Sequence, residues 1–198
     1  ATSGELRWMW RPEEGERFDN APRKGAGRGV AYWTDGTEKR IFQISPGYNL
    51  VALDAETGAL LWKVRVDEHP GAMGTGAVKF YKGRVYVPTS GLTEEAVANS
   101  KSPYECCSFR GSVTALDAST GMQVWKVYAL PEPQLIRVLD DGRKLSGPAG
   151  AAVWNSPTVD VKRNLLYFAT GNAYVGPKAA TSNAIMAVNL DSGALEWV

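Results

Sequence analysis

One signature, A-x-D-x-x-[ST]-G-x-x-x-W, recurs down this chain and limits its possible folds more than any other feature. Two complete copies occupy residues 52–62 and 115–125, built on Asp54, Thr57, Gly58 and Trp62 and on Asp117, Thr120, Gly121 and Trp125. A looser copy at 187–197 has Asn189 in the aspartate position, and residues 1–8 carry the second half of another, Ser3-Gly4 through Trp8. The four glycines stand at 4, 58, 121 and 193, so the spacings are 54, 63 and 72 residues. Periods of about 50 residues with strand-like content point to propeller blades rather than helical solenoids. A copy interrupted at residue 1 and another closing at Trp197-Val198 read as an internal piece of a longer protein.

Short β-rich runs bounded by turn residues lie between the signatures: 29–33, 40–44, 49–53 and 60–66, then 76–80, 84–87, 112–116 and 123–127, then 156–160, 165–168, 184–188 and 194–197. No stretch keeps the period of an amphipathic helix. The fold class read from this pattern is all-β, with about three four-stranded blades. Residues 11–66, 67–128 and 129–198 are the expected blades, the last with a long inserted loop, and 1–10 are the end of a preceding one. Within each signature the chemistry is that of a tight turn. The Asp or Asn side chain can accept from the backbone ahead of it, and the glycine can take a positive φ. The tryptophan four residues on falls on the outer strand, where it can pack between blades.

Other features exclude functions. A net charge of +1 gives no electrostatic case for nucleic acid or an anionic membrane surface. No apolar run approaches about 18 residues, so this piece has no transmembrane segment, and a signal peptide would lie outside it. The single histidine, His69, lacks the partners of a triad or a zinc site and reads as a loop residue. Cys-x-x-Cys-His is absent, so the piece has no c-type haem attachment. The only two cysteines, Cys106 and Cys107, are adjacent. They read as two reduced core thiols or as a disulfide between neighbours. Such a bond would span Cα atoms about 3.8 Å apart, below the usual window of about 4.4–6.8 Å, and would form a strained, rigid ring.

The repeats resemble the tryptophan-docking motif of the PQQ-dependent (quinoprotein) alcohol dehydrogenases, whose propellers have eight blades. The resemblance covers nearly the whole chain. Tyr104-Glu105-Cys106-Cys107-Ser108-Phe109-Arg110-Gly111-Ser112 is more similar to the polyvinyl-alcohol-dehydrogenase type than to the methanol dehydrogenases. In the latter the pair stands just before an Arg-Gly-x-Ala-Tyr-Trp stretch. Here that stretch is Arg28-Gly29-Val30-Ala31-Tyr32-Trp33 with no cysteines ahead of it, so the pair has moved by one blade. Related repeats also build non-catalytic scaffold propellers of the outer-membrane-assembly lipoprotein type, which is the alternative reading. A scaffold has no use for Arg28, Trp154, Asn172 and the cysteine pair together.

The resemblance implies a portion of a periplasmic enzyme that oxidises alcohols by hydride transfer to pyrroloquinoline quinone (PQQ) with calcium. A lanthanide in place of calcium stays open, as does the choice between small-molecule and polymeric alcohols. The electrons would pass to a cytochrome c or another acceptor. It also implies a vicinal Cys106–Cys107 disulfide of the kind that lies against one face of the quinone. Arg28 matches the family arginine at the cofactor, and Arg110 is a second candidate, because guanidinium forks suit the three carboxylates of PQQ. Thr75 matches a threonine that donates to the quinone. Thr89-Ser90-Gly91 resembles the small-residue turn that precedes a metal-binding glutamate, which places Ser90 and Gly91 at the cofactor. That glutamate is not fixed by spacing: Glu94 comes first, with Glu95 and Glu105 as alternatives. Trp154 matches the tryptophan stacked beneath PQQ. Asn172, in Thr170-Gly171-Asn172, matches the neutral oxygen ligand of calcium. The family's catalytic aspartate would follow Val198, so no catalytic residue is named here, and the isolated piece is expected to be inactive.

Overall fold

The computed structural model describes residues 3–19, 28–91 and 106–198. Three antiparallel blade sheets carry the fold. The first is β1 (Ala31–Thr34), β2 (Lys39–Ile44), β3 (Asn49–Asp54) and β4 (Leu60–Arg65), paired in chain order. The second is built on β7 (Arg84–Gly91), β8 (Ser112–Asp117) and β9 (Gln123–Tyr128). Two short strands share its inner edge: β6 (Lys79–Tyr81) pairs with the start of β7, and β5 (Ala72–Met73) pairs with its end. The third sheet is β13 (Thr158–Asp160), β14 (Leu165–Ala169), β16 (Ile185–Asn189) and β17 (Leu195–Trp197). Between the second and third lie a hairpin, β10 (Gln134–Val138) with β11 (Lys144–Gly147), and a small pair, β12 (Ala149–Gly150) with β15 (Ala173–Val175). One helical turn, Glu16–Asp19, is the only helix among the described residues.

The blades pack face to face through two apolar cores. Phe42, Ile44, Leu50, Val85, Val87 and Leu116 fill the space between the first and second sheets. Tyr86, Val113, Trp125, Leu166, Met186 and Val188 fill the space between the second and third. Alternate residues of β7 and β8 therefore point into different cores. That is why β8 is buried along nearly its whole length and reads in sequence as a continuous run rather than an alternation. The outer strands β4 and β17 are mostly exposed, and β9 is half exposed with Trp125 buried.

The signature behaves as its chemistry predicts. Asp54 Oδ1 accepts from Glu56 N–H (3.1 Å), Thr57 N–H (2.7 Å) and the Thr57 hydroxyl (2.7 Å). Asp117 and Asn189 repeat the arrangement on Thr120 and Ser192. The Thr57 hydroxyl, then its N–H, hold the Asp54 carboxyl below the ordinary carboxylate range. Each signature glycine has φ between 67° and 76°, which glycine adopts without penalty. It also serves as the seat for the preceding tryptophan. A Cβ on Gly58 would lie 2.7 Å from the Trp8 ring, one on Gly121 would lie 3.1 Å from Trp62, and one on Gly193 would lie 2.8 Å from Trp125. Trp8 Nε1–H donates to Ala55 O (3.1 Å) and Trp125 Nε1–H to Leu190 O (3.1 Å), one residue past the turn acid or amide. Trp62 differs. The equivalent carbonyl, Ala118 O, accepts from Arg40 Nη1 (2.9 Å), and the buried Trp62 Nε1 has no partner.

Two expectations are corrected. Residues 1–10 read as the end of a blade with an outer strand, but the described residues 3–10 form no strand; Trp8 docks on Gly58 without one. β5, β12 and β15 are not legible in the sequence because two or three residues carry no period, and the expected long inserted loop of the third blade contains a hairpin, β10–β11.

Candidate functional site

The end of β7 and the segments around it form a cradle of close backbone approaches. Thr89 and Ser90 are buried. Tyr48 Oη–H and Ser112 Oγ–H both reach Thr89 Oγ1 at 2.7 Å, which ties β7 to the first blade and to β8. Thr89 O accepts from Val153 N–H (3.0 Å), which fixes the chain immediately before Trp154. After it, Asn155 grips the end of β14 in both directions. Its amide donates to Ala169 O (2.7 Å), and its Oδ1 accepts from Ala169 N–H (3.3 Å). The backbone is held on both sides of Trp154, yet the residue is 56 % exposed. That is unusual for so large an apolar group.

Thr75 belongs to the same neighbourhood. A Cβ on Gly76 would sit 2.6 Å from Asn155 O, so the Thr75-Gly76 turn lies directly against the residue after Trp154. Thr75 Oγ1 is buried and has no hydrogen-bond partner. Gly29 abuts Ala77, with a hypothetical Cβ at 3.2 Å. This brings the Arg28-Gly29 segment to the same end of the second sheet, and Arg28 is exposed. Across the cradle a Cβ on Gly111 would collide with Ala151 O at 1.8 Å, so two backbones touch where no side chain fits. Gly111 N–H donates to Gly150 O and Gly150 N–H to Phe109 O, both at 2.8 Å. The Thr170-Gly171-Asn172 turn joins through Ala151 N–H to Asn172 O (2.8 Å) and Gly171 N–H to Ala152 O (2.9 Å). Asn172 itself is exposed, and its amide nitrogen donates to Ala173 O at 3.2 Å.

The remaining sequence candidates take varied positions. Cys106 and Cys107 are bonded to each other, which decides between the two readings of the pair. Cys107 is buried, and Cys106 O accepts from Ser146 N–H of β11 (3.2 Å). The Arg110 guanidinium lies 3.7 Å above the Tyr128 ring and reaches Leu130 O at 3.5 Å, so it braces β9. Gly91 pairs with Ala72, and Ser90 with Met73. Glu94, Glu95 and Glu105 lie outside the described residues. Among the described residues no group of three or more His, Cys, Asp or Glu side chains is placed to hold a metal ion. A surface cleft of about 620 Å³ lies at the outer rim, between Arg65 and Asp67 on one side and Gln123, Lys126 and Tyr128 on the other. None of the cradle residues lines it.

Sequence reasoning missed Asn155, which ties the backbone next to Trp154 to the end of β14, and Gly76 and Gly111, which let backbones meet. His69 is a loop residue, as its sequence context implies, and its ring contacts with Ser108 and Phe109 are what the sequence did not show. No local pattern marks Asn155. The glycines were visible, but their contacts were not.

The family model described as the PQQ-type glucose/ethanol/alcohol dehydrogenase β-propeller domain matches residues 1–198. A polyvinylalcohol dehydrogenase from Sphingopyxis sp. (strain 113P3) is 44% identical over 149 residues, covering 74% of this chain and 22% of the relative. Another from Pseudomonas sp. is 41% identical over 149 residues, covering 75% and 23%. A quinohemoprotein alcohol dehydrogenase from Comamonas testosteroni superimposes with a TM-score of 0.71 at 23% identity, over 99% of this chain and 30% of that one. At that identity the superposition carries the propeller fold. The matched region spans 22–23% of the length of the two polyvinylalcohol dehydrogenases.

Proposed function

This chain belongs to the PQQ-type glucose/ethanol/alcohol dehydrogenase β-propeller family, and we propose that it forms part of the cofactor pocket of a PQQ-dependent alcohol dehydrogenase of the polyvinyl-alcohol type. The observation that carries the proposal is the buried, unpartnered Thr75 hydroxyl on the turn packed against Asn155, beside the exposed indole of Trp154. An orphaned buried hydroxyl costs about 1–3 kcal/mol. A polar ligand that accepts from it removes that penalty. A large planar ligand on Trp154 adds on the order of 1 kcal/mol beyond area burial. The residues present therefore fit a flat, polyanionic quinone.

In this proposal Trp154 is the floor on which the ring system stacks, and Asn155 fixes the backbone that carries it by holding the end of β14. Thr75 donates a hydrogen bond to a ring oxygen. Arg28, exposed at the same end of the sheet, offers its fork to a carboxylate. The Ser90-Gly91 end of β7 and the Cys106–Cys107 ring wall the pocket and exclude water. Asn172 spends its amide nitrogen on Ala173 O, and its oxygen is the hard donor that suits calcium; Glu94 is the proposed carboxylate partner. Bound quinone and calcium would supply the two-electron acceptor and the Lewis acid that polarises it. The general base is proposed to come from outside residues 1–198. The periplasmic location, a cytochrome c as acceptor and a polymeric or small alcohol as substrate belong to the same proposal. No helix among the described residues is long and apolar enough to cross a membrane.

The test uses Trp154→Ala and Thr75→Val in the intact protein, with PQQ content read by absorbance after gel filtration and dye reduction followed with alcohol. Each variant is expected to lose PQQ affinity by about fivefold to tenfold, the size of one stacking or hydrogen-bond contribution. Unchanged PQQ retention in both would remove the assignment.

A further inference from the structure

We infer that His69 is a positioning residue that pins the Cys106–Cys107 segment and, through Phe109, aligns it with the Gly91 and Asn172 elements; what that frame holds rests on the cofactor reading above. Gly71 N–H donates to His69 Nδ1 at 3.0 Å. A ring nitrogen that accepts carries no proton, so the neutral imidazole has its proton on Nε2. Nε2 lies 3.1 Å from Ser108 Oγ and therefore donates to it, and Ser108 directly follows Cys107. The same tautomer excludes a base–nucleophile pair, because a protonated Nε2 cannot take the serine proton. The contact holds the segment in place.

The loop that presents His69 is anchored on its own account. Asp67 Oδ1 accepts from His69 N–H (2.8 Å), and Asp67 Oδ2 pairs with Lys126 of β9, both side chains being nearly buried. His69 O accepts from Ala72 N–H at 3.0 Å, which joins the loop to β5. The imidazole then meets Phe109 edge-on, with centroids 5.5 Å apart. Phe109 covers Gly91, where a Cβ would be 2.5 Å from the ring. It stacks on Tyr174 at 6.2 Å and 15°, and Tyr174 Oη–H reaches Gly91 O at 3.4 Å. Tyr174 lies two residues past Asn172 on β15. One imidazole thus connects the residue after the disulfide to a ring stack that braces both the Ser90-Gly91 turn and the strand beginning just after Asn172.

The experiment measures how fast the Cys106–Cys107 bond is opened by a phosphine reductant, with the freed thiols alkylated and counted by mass spectrometry. It is run on the intact protein with and without PQQ. Ser108→Ala, which loses one anchoring hydrogen bond, is expected to speed reduction by about tenfold, and His69→Ala, which also loses the Gly71 bond and the Phe109 contact, by at least as much. His69→Gln, which keeps an N–H in reach of Ser108, is expected to restore the rate to within about threefold of wild type. Val85→Ala, a core cavity in the same sheet, should lower thermal stability without changing the reduction rate, which separates positioning from general loosening. In the PQQ-loaded protein His69→Ala should also release the cofactor faster than wild type. Wild-type reduction rates in both His69→Ala and Ser108→Ala would overturn the inference. Because the rate without PQQ does not depend on the cofactor, failure of the Trp154 and Thr75 test above would leave it readable and would fall on the pocket assignment instead.

Discussion

Replacing either docking tryptophan by phenylalanine tests whether the indole N–H or the packing on glycine holds neighbouring blades together. Trp125 and Trp62 occupy the same place in consecutive repeats and sit on equivalent glycines, but their hydrogen bonding differs. Trp125 Nε1–H is satisfied by Leu190 O, and that carbonyl keeps Arg84 Nη1 at 2.8 Å after the indole is removed. Trp125→Phe therefore loses one hydrogen bond of about 1 kcal/mol. It also loses on the order of 50 Å² of buried apolar area, worth about 1 kcal/mol at roughly 25 cal/mol per Å², for a total near 2 kcal/mol. Trp62→Phe, at a residue that is only partly buried, loses no more area than Trp125→Phe, and the change removes a buried N–H that has no partner. Relief of about 1–3 kcal/mol of desolvation leaves the variant unchanged or more stable. Urea unfolding of the intact protein, with midpoints compared at constant slope, should separate the two by about 2–4 kcal/mol. If Trp62→Phe destabilises as much as Trp125→Phe, the hydrogen-bond argument fails and ring packing alone sets the interblade energy.

Two further predictions concern the turns. Gly193→Ala places a methyl 2.8 Å from Trp125 at φ 72°, whereas Gly142→Ala meets nothing within 4 Å at φ 84°. The first should destabilise by about 2–4 kcal/mol and the second by only about 1 kcal/mol, the backbone contribution, read as shifts in the unfolding midpoint; equal effects would refute the docking seat. Asp54→Asn should flatten the acid limb of stability while keeping the turn, since Asn189 makes the same bonds natively. The Asp54 carboxyl is held below its ordinary value by Thr57. Its contribution is therefore complete above the unfolded carboxylate range and is lost as pH falls through the lowered folded value. An acid titration identical to wild type would refute it.

Much of this molecule follows from local chemistry. The Asp–Thr–Gly turns form as their side chains require, because an Asx turn and a positive-φ glycine need only four or five consecutive residues. The tryptophans fall on or beside outer strands at the spacing the signature sets. The main strands of all three blades were legible for the same reason, with boundaries that differ by a few residues, as at β6, which starts at Lys79 rather than at residue 76. The adjacent cysteines were visible, but their oxidation was left open by the residues and was decided by the structure. What could not be read from sequence is allocation among distant groups. Leu190 O accepts from both Arg84 and Trp125, whereas Ala118 O accepts from Arg40 and Trp62 Nε1 is left without a partner. Gly76 meets Asn155 across about eighty residues, Gly111 meets Ala151, and His69 meets Ser108. Backbone carbonyls and ring nitrogens carry no sequence mark of the partner they will take. That choice is made when neighbouring blades pack and bring groups from different repeats within reach of one another.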